Sequence, residues 1–278
     1  MDEAARDRYT AAAHASSAVV IGRYSSSFSL AARLLPRRVR RDVTSIYGLV
    51  RVADEVVDGA GSSPRAQLDA LEREVEAALA SGFSTNLVVH AFVDTARRTG
   101  FGAELTRPFF AAMRSDLLPA QHTVETLARY IHGSAEVVGL MCLRVYLHGV
   151  APGDYAALEP GARALGSAFQ KINFLRDLAD DGHRLGRSYL PGAGTRSLTP
   201  LEFAGYVDDA ASDLAMGTAS ILGLPRDVRR GVYAAADVYA ELLGRIAAGG
   251  LDAVRSARIR VPAARKLAVI ARRVRTAP

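Results

Sequence analysis

The stretch Phe169-Gln170-Lys171-Ile172-Asn173-Phe174-Leu175-Arg176-Asp177-Leu178-Ala179-Asp180-Asp181 decides the fold. Asn173, Asp177 and Asp181 stand at successive steps of four, and the same line runs back through Phe169 and Leu165. Residues so spaced share one face of a helix, so this polar row extends an apolar stripe instead of lying opposite it. Oxygen-only ligands on such a face suit a hard cation, and Mg²⁺ is typically held by one or two carboxylates together with substrate phosphates. For this stretch alone, a polar helix end with Lys171 and Arg176 as exposed counter-charges is equally open.

A second stretch repeats the pattern. In Arg51-Val52-Ala53-Asp54-Glu55-Val56-Val57-Asp58, stepping back from Asp58 by three and four gives Asp54, Val50, Tyr47 and Val43. Two acids facing a core are costly unless something positive meets them. Alone, a solvated helix end before Gly59 is the simpler account. Two inward acidic faces, each with an arginine within a turn, can however meet across a helical cavity. Arginine and Mg²⁺ would there neutralise a diphosphate.

The rest of the chain has the same helical period. Val39, Val43, Ile46, Tyr47, Val50 and Val57 form one stripe, and Ala162, Leu165, Phe169 and Ile172 another. Alternating strand-like runs are scarce. Breaks fall at Pro36, Gly59 to Pro64, Ser81-Gly82, Gly100 to Gly102, Pro119, Pro152-Gly153, Pro191 to Gly194, Pro225 and Gly249-Gly250. About ten helices and a single all-α domain over residues 1–278 follow.

Composition bounds the function. With 278 residues, 49% of them hydrophobic, the chain can bury a sizeable core, and its single Cys142 excludes a disulfide scaffold. Cys142 lies in the apolar run Val137 to Met141 and reads as a buried core thiol. The longest charge-free run, Ala77 to Val93, is interrupted by polar residues and falls short of the roughly 20 apolar residues that span a bilayer. The acidic start Met1-Asp2-Glu3 leads into no apolar core, so a cytoplasmic protein is expected. The net charge is +6, and all the basic residues but Lys171 and Lys266 are arginine. That excess admits nucleic acid, an anionic membrane surface or a phosphorylated small molecule. Nucleic acid is set aside, because the arginines are dispersed without an aromatic stacking pattern. The run Arg37, Arg38, Arg40 and Arg41 reads as a solvated face that an anionic bilayer could use in peripheral contact. The hydroxyl-rich Tyr24-Ser25-Ser26-Ser27-Phe28 segment can cap a helix or hold a phosphate at its start.

Taken in order, these motifs resemble the squalene/phytoene synthase family of head-to-head isoprenyl diphosphate synthases. The resemblance rests on Ser25 to Phe28 with Ala31 to Pro36, on Tyr47 to Asp58 and on Tyr130 to Gly139. It continues through Ala168 to Asp181, Gly186-Arg187-Ser188-Tyr189-Leu190-Pro191 and Arg258 to Leu267. It covers nearly the whole chain and is closest to the bacterial phytoene synthase pattern. It implies the all-α isoprenoid synthase fold, a helical barrel around a central cavity. It further implies that Asp54 and Asp58, with Asn173, Asp177 and Asp181, carry two or three Mg²⁺ ions (Mn²⁺ being admissible) that bridge to allylic diphosphates. Ser25, Ser27, Arg51, Gln170, Arg176, Tyr239 and Arg258 match diphosphate-holding positions, Tyr130 matches a tyrosine that assists proton removal, and Gly186 to Pro191 matches a closing loop.

The implied reaction is a Mg²⁺-dependent joining of two geranylgeranyl diphosphates to phytoene, through a cyclopropylcarbinyl diphosphate and without NADPH. Alternatives are a squalene or dehydrosqualene synthase using farnesyl diphosphate, a prenyltransferase acting on an aromatic acceptor, and a catalytically silent helical assembly protein. Three departures bear on the choice. Glu136 stands where the family usually has Gly, Tyr24 where many members have His, and Ser26 where many have Lys. If its helix lines the cavity, Glu136 brings a carboxylate to the cation path; otherwise it faces solvent or pairs with an arginine.

Overall fold

A computed structural model of the protein describes residues 2–24, 26–59, 62–118, 122–149, 155–180, 189–191 and 198–276. Among them there are twelve α-helices and no strand, as the periodicity requires. They are α1 (Glu3–Tyr24), α2 (Ser26–Ala32), α3 (Arg37–Val57), α4 (Pro64–Ser81), α5 (Leu87–Thr99), α6 (Ala103–Ser115) and α7 (Val124–Ile131). A π-helical turn (His132–Glu136) runs straight into α8 (Val137–Leu147), followed by α9 (Tyr155–Asp180), α10 (Pro200–Ser220), α11 (Arg226–Ser256) and α12 (Ala263–Thr276).

Most boundaries follow from local chemistry. The Asn86 side chain accepts the N–H groups of Val88 and Val89, and Thr123 and Thr199 close capping boxes at α7 and α10. Gly82 and Gly100 take φ of 76° and 79° and end α4 and α5, a conformation that costs a residue without Cβ little. One break is weaker than its sequence implies. At Gly249-Gly250 only Gly250 leaves helical geometry, and α11 resumes as far as Ser256.

Helices α2, α3, α8, α9, α10 and α11 surround a cavity of about 260 Å³. The α3 stripe divides its work. Val39, Leu49 and Ala53 are fully or almost fully buried, while Val43, Ile46, Tyr47 and Val50 face the cavity. Helix α3 is fixed from behind by polar contacts. His14 of α1 lies 2.8 Å from Ser45 Oγ and 3.0 Å from Asp94 Oδ2, and buried Asp42 accepts two bonds from Arg98 at 2.7 and 3.0 Å. A buried carboxylate needs such pairing, because removing one partner leaves its charge uncompensated. No described helix is long and apolar enough to cross a membrane.

Helix α9 is brought close to its neighbours by small residues. A Cβ on Gly139 would lie 2.6 Å from the Ala162 carbonyl oxygen, and one on Gly166 would lie 2.6 Å from that of Ala135. Both obstacles are backbone atoms, which cannot rotate aside. The variant Gly139→Ala is therefore expected to lose about 1–3 kcal/mol, seen as a lower urea midpoint and a melting temperature reduced by several degrees. Gly22→Ala, whose Cβ meets nothing within 4 Å, should be neutral or slightly stabilising.

Candidate active site

Both acidic helices line the cavity, α3 through Val50 and α9 through Asn173, each one turn before Asp54 and Asp177. Helix α3 carries Arg51 and Asp54 and ends at Asp58, whose N–H still donates to the Asp54 carbonyl at 2.8 Å. The pair therefore spans one turn, as the spacing requires. On α9, Leu165, Phe169, Gln170 and Asn173 line the cavity, with Asp177 one turn further on. Tyr239 of α11 completes this wall and stacks on Phe169 at 3.9 Å between ring centres. Ser25, Asp181 and Gly186 to Ser188 lie outside the described residues, as does the side chain of Ser27.

The electrostatics of the two sides differ. The Asp54 carboxyl is raised to about 7, first by burial and then by the negative charges of Asp58, Asp116 and Glu55, against which Arg51 works. The side chain is nevertheless 37% exposed, so water relieves part of the burial penalty. Arg51 offsets it only in part. The guanidinium pairs with Glu55, stands 3.8 Å from Asp54 and lies over the Tyr24 ring, while its buried Nε has no partner. Asp177 is the opposite case. Arg176 donates to it at 2.8 Å and Arg258 lies 2.7 Å from the same oxygen, so two cations meet one carboxylate.

Whether a hard cation fits can be tested on these side chains. The donors are all oxygens, the chemistry Mg²⁺ requires. Asn173 Oδ1 is buried at the cavity wall and has no hydrogen-bond partner, although the same side chain contacts the Tyr239 hydroxyl. An orphaned buried oxygen is costly, and one turn before Asp177 on the same helix face it is placed as a further oxygen donor. Among the described residues no three His, Cys, Asp or Glu side chains converge on one point by themselves. The acids are divided between α3 and α9, so substrate oxygens would have to complete any coordination sphere. The donor set fits.

Beside Asp177 lies a second recess of about 400 Å³, where Arg176, Arg258, Arg260 and Lys266 meet Tyr24 and Tyr239. Burial, and then Arg176 and Arg260, lower the Lys266 pKa. Such a concentration of cations suits a multiply charged anion. Arg260 and Lys266 fall within the Arg258 to Leu267 segment but do not stand out by spacing, since Arg260 lies in the non-helical residues before α12 and Lys266 in its first turn.

Tyr130 occupies a separate aromatic cluster. Its hydroxyl donates to Asp116 at 2.7 Å, Tyr189 donates to the other oxygen at 2.9 Å, and Phe174 stacks on Tyr189 at 4.4 Å. Burial first, and Asp116 second, push the phenol well above its ordinary pKa. Asp116 had no signal in the sequence. It caps the end of α6 alone, without a second acid at helical spacing.

The structure decides one open alternative and adds to one expectation. Glu136 is not on the cavity wall: it accepts from Arg163 at 3.1 Å and lies 2.9 Å from His132, while Ser134, Ala135, Val138 and Gly139 face inward. The π turn sets this orientation, and no local residue pattern announces it. Cys142 packs against the core as expected and also borders the cavity; burial pushes its thiol up to about 12, so it is an inert wall atom.

Comparison with known proteins agrees with this geometry. The squalene/phytoene synthase family model matches residues 21–199. A 15-cis-phytoene synthase of Paracoccus sp. (strain N81106 / MBIC 01143) is 31% identical over 267 residues, covering 88% of this chain and 86% of that protein. The 15-cis-phytoene synthase of Synechococcus elongatus is 33% identical over 273 residues, covering 89% and 88%. Among solved structures, a dehydrosqualene synthase in complex with ligand superposes with a TM-score of 0.83 at 21% identity, covering 96% of this chain and 97% of the other. The squalene synthase HpnC from Alicyclobacillus acidocaldarius gives 0.74 at 23% identity, covering 85% and 94%. These likenesses establish the isoprenoid synthase fold. They set aside the silent assembly protein, because the family consists of divalent-metal-dependent enzymes acting on isoprenyl diphosphates. The chain belongs to the squalene/phytoene synthase family and is a prenyltransferase.

Proposed function

We propose that this chain, acting as one domain over residues 1–278, joins two molecules of geranylgeranyl diphosphate head to head. The product would be phytoene, formed by way of a cyclopropylcarbinyl diphosphate with Mg²⁺ as the metal. The observation that carries the reading is the passage from the acidic ends of α3 and α9 into an apolar cavity. Asp54 and Asn173 stand at one end, and Val43, Ile46, Leu165 and Phe169 form the walls beyond. The two relatives named 15-cis-phytoene synthase, matched along most of their length, support the longer prenyl substrate over farnesyl diphosphate. The aromatic-acceptor alternative loses its footing, since it rested on Glu136 entering the cavity.

In this reading Asp54, Asp58, Asn173, Asp177 and Asp181 hold the metal. Ser25, Ser27, Arg51, Gln170, Arg176, Tyr239 and Arg258 hold diphosphate. Bound there, Mg²⁺ supplies positive charge to the oxygens of the departing diphosphate. Arg176 and Arg258 turn from Asp177 to phosphate oxygens, which match their planar forks equally well. The carbon walls exclude water that would otherwise quench an allylic cation, and the stacked Phe169–Tyr239 pair offers it a π face. Tyr130 accepts the proton lost on cyclopropane formation as its own proton moves along the 2.7 Å bond to Asp116. The last cation is discharged by proton loss, so no reductant is consumed.

Two experiments test this. Purified protein incubated with geranylgeranyl or farnesyl diphosphate and Mg²⁺, with and without NADPH, should give phytoene from the former, independent of NADPH. Thirty-carbon hydrocarbon alone would assign farnesyl diphosphate as the substrate instead. Asp177→Ala should lower turnover by about a thousandfold or more while the helical circular dichroism is kept, and unchanged activity would overturn the metal assignment.

A further measurement reads the burden of Asp54 directly. An unfolded aspartate titrates near 3.8, and this one near 7 in the folded protein. Between those values the unfolded chain binds fewer protons, so metal-free stability falls as pH rises and the loss is complete above about 7. Asp54→Asn removes the charge. The metal-free variant should melt a few degrees above the wild type at about pH 8, with the gap closing toward about pH 4. A gap that does not vary with pH would refute the assignment.

A further inference from the structure

We propose that Glu136 and Arg163 are positioning residues: from outside the cavity they hold the π turn before α8, and the turn aims Tyr130 and one wall of the cavity. A row of residues four apart drifts by about 40° per step around an α-helix, so three steps carry it about 120° from its starting direction. Ser134, Val138, Cys142 and Tyr146 are such a row, and all four border the cavity. The turn His132–Glu136, closed by the Val137 N–H on the His132 carbonyl, holds one residue more per ring and takes part of that drift back. One step before the row stands Tyr130, whose hydroxyl reaches Asp116 at 2.7 Å. Were the turn to relax to an ordinary α-helix, α7 would rotate against α8. Tyr130 and the wall from Ser134 to Val138 could not then both keep their places.

Turns of this kind are rare inside helices, and this one is held from outside. On two sides the hold is steric. A Cβ on Gly133 would lie 2.4 Å from the Pro108 carbonyl oxygen of α6, and one on Gly166 of α9 would lie 2.6 Å from that of Ala135. These contacts limit how far the turn can move but do not join its two ends. The polar contacts do. His132 and Glu136, the first and last residues of the turn, meet at 2.9 Å. Arg163 of α9 donates to the same Glu136 oxygen at 3.1 Å and lies 2.9 Å from the His132 ring nitrogen. Glu159, one turn earlier on α9, fixes Arg163 by accepting from it at 2.8 and 3.0 Å. The four side chains are 22–37% exposed, and ion pairs so open to water contribute little to global stability. Their effect is local. They set the geometry of one turn, and that turn decides where Tyr130 and the wall lie. The placement stands on these contacts alone, whereas the use of Tyr130 in proton removal rests on the reading proposed above.

Two measurements on the full chain test it. The chain has no Trp, so the long-wavelength edge of its near-ultraviolet circular dichroism belongs to tyrosine. The difference spectrum between the wild type and Tyr130→Phe isolates Tyr130, and that difference should collapse when either Glu136→Ala or Arg163→Gln is also present. The melting temperature should hardly move. With whichever of geranylgeranyl and farnesyl diphosphate the wild type consumes, each variant should lower kcat about tenfold or more and leave KM within about twofold. The double variant should be no slower than the single ones, because both act through one contact. Glu136→Gln, which keeps an oxygen for Arg163 to donate to, should retain most of the turnover. Arg107→Gln, which breaks the exposed pair with Glu76 on another face, should change nothing. An unchanged Tyr130 signal, a rise in KM with kcat intact, or single losses that multiply in the double variant would each overturn the proposal. Full turnover in a variant whose Tyr130 signal has collapsed would uphold the placement and remove Tyr130 from the proposed reaction. If the wild type consumes neither diphosphate, the functional reading fails, and the Tyr130 signal still decides the placement.

Discussion

An ionised carboxylate at the edge of an apolar cavity is unstable by itself, and the surrounding structure is arranged to tolerate it. Asp54 shares its field with Asp58, Asp116 and Glu55, and Arg51 is drawn away toward Glu55. The stability for this has to come from elsewhere, and the back of α3 supplies it. There the buried acid Asp42 has both oxygens satisfied by Arg98, and His14 bridges Ser45 and Asp94. The same helix thus carries a satisfied polar face toward α1 and α5 and an unsatisfied one toward the cavity. Only the second has the character of a binding site.

Helix α9 meets a related demand by packing. Its polar end must stand opposite α3, so its remaining length is fixed by contact with its neighbours. The backbone contacts at Gly139 and Gly166 hold α8 and the π turn against it, with no room for a methyl group. On its outer side Lys171 is anchored by Asp209 and Asp213, each at 2.7 Å, and Ser167 donates to Asp213 at 2.6 Å. Lys171 is therefore not the loose surface counter-charge that a polar helix end would give. It fixes the rotation of α9 and turns Asn173 inward.

The fold and the acidic faces could be read in the sequence because both depend on a period. Val43, Tyr47, Val50 and Asp54, or Leu165, Phe169, Asn173 and Asp177, lie on one line wherever the chain is helical, whatever surrounds it. What escaped the reading has no period. Asp116 is a single acid at a helix end, and it gains meaning only when Tyr130 and Tyr189 reach it from far along the chain. Which of its two alternatives Glu136 takes depends on the rotation that a π turn gives the segment before α8. A sequence with no proline and no distinctive spacing there does not disclose that rotation.

The arginines show the same limit from the side of charge. Composition makes them one population, yet the structure sorts them by what faces them. Arg98, Arg163 and Arg273 meet carboxylates and belong to the scaffold. Arg176 and Arg258 share Asp177, an arrangement with more positive than negative charge at that point. A diphosphate entering the recess offers both guanidiniums oxygens like those of Asp177, so the exchange costs little in hydrogen bonds and frees a carboxylate. Ligand entry and the availability of Asp177 are then linked through the same two side chains. On the proposed function, a site that released Asp177 only when diphosphate arrived would avoid displaying both acidic faces without a counter-charge in its absence. Asp54 alone is left to bear that cost.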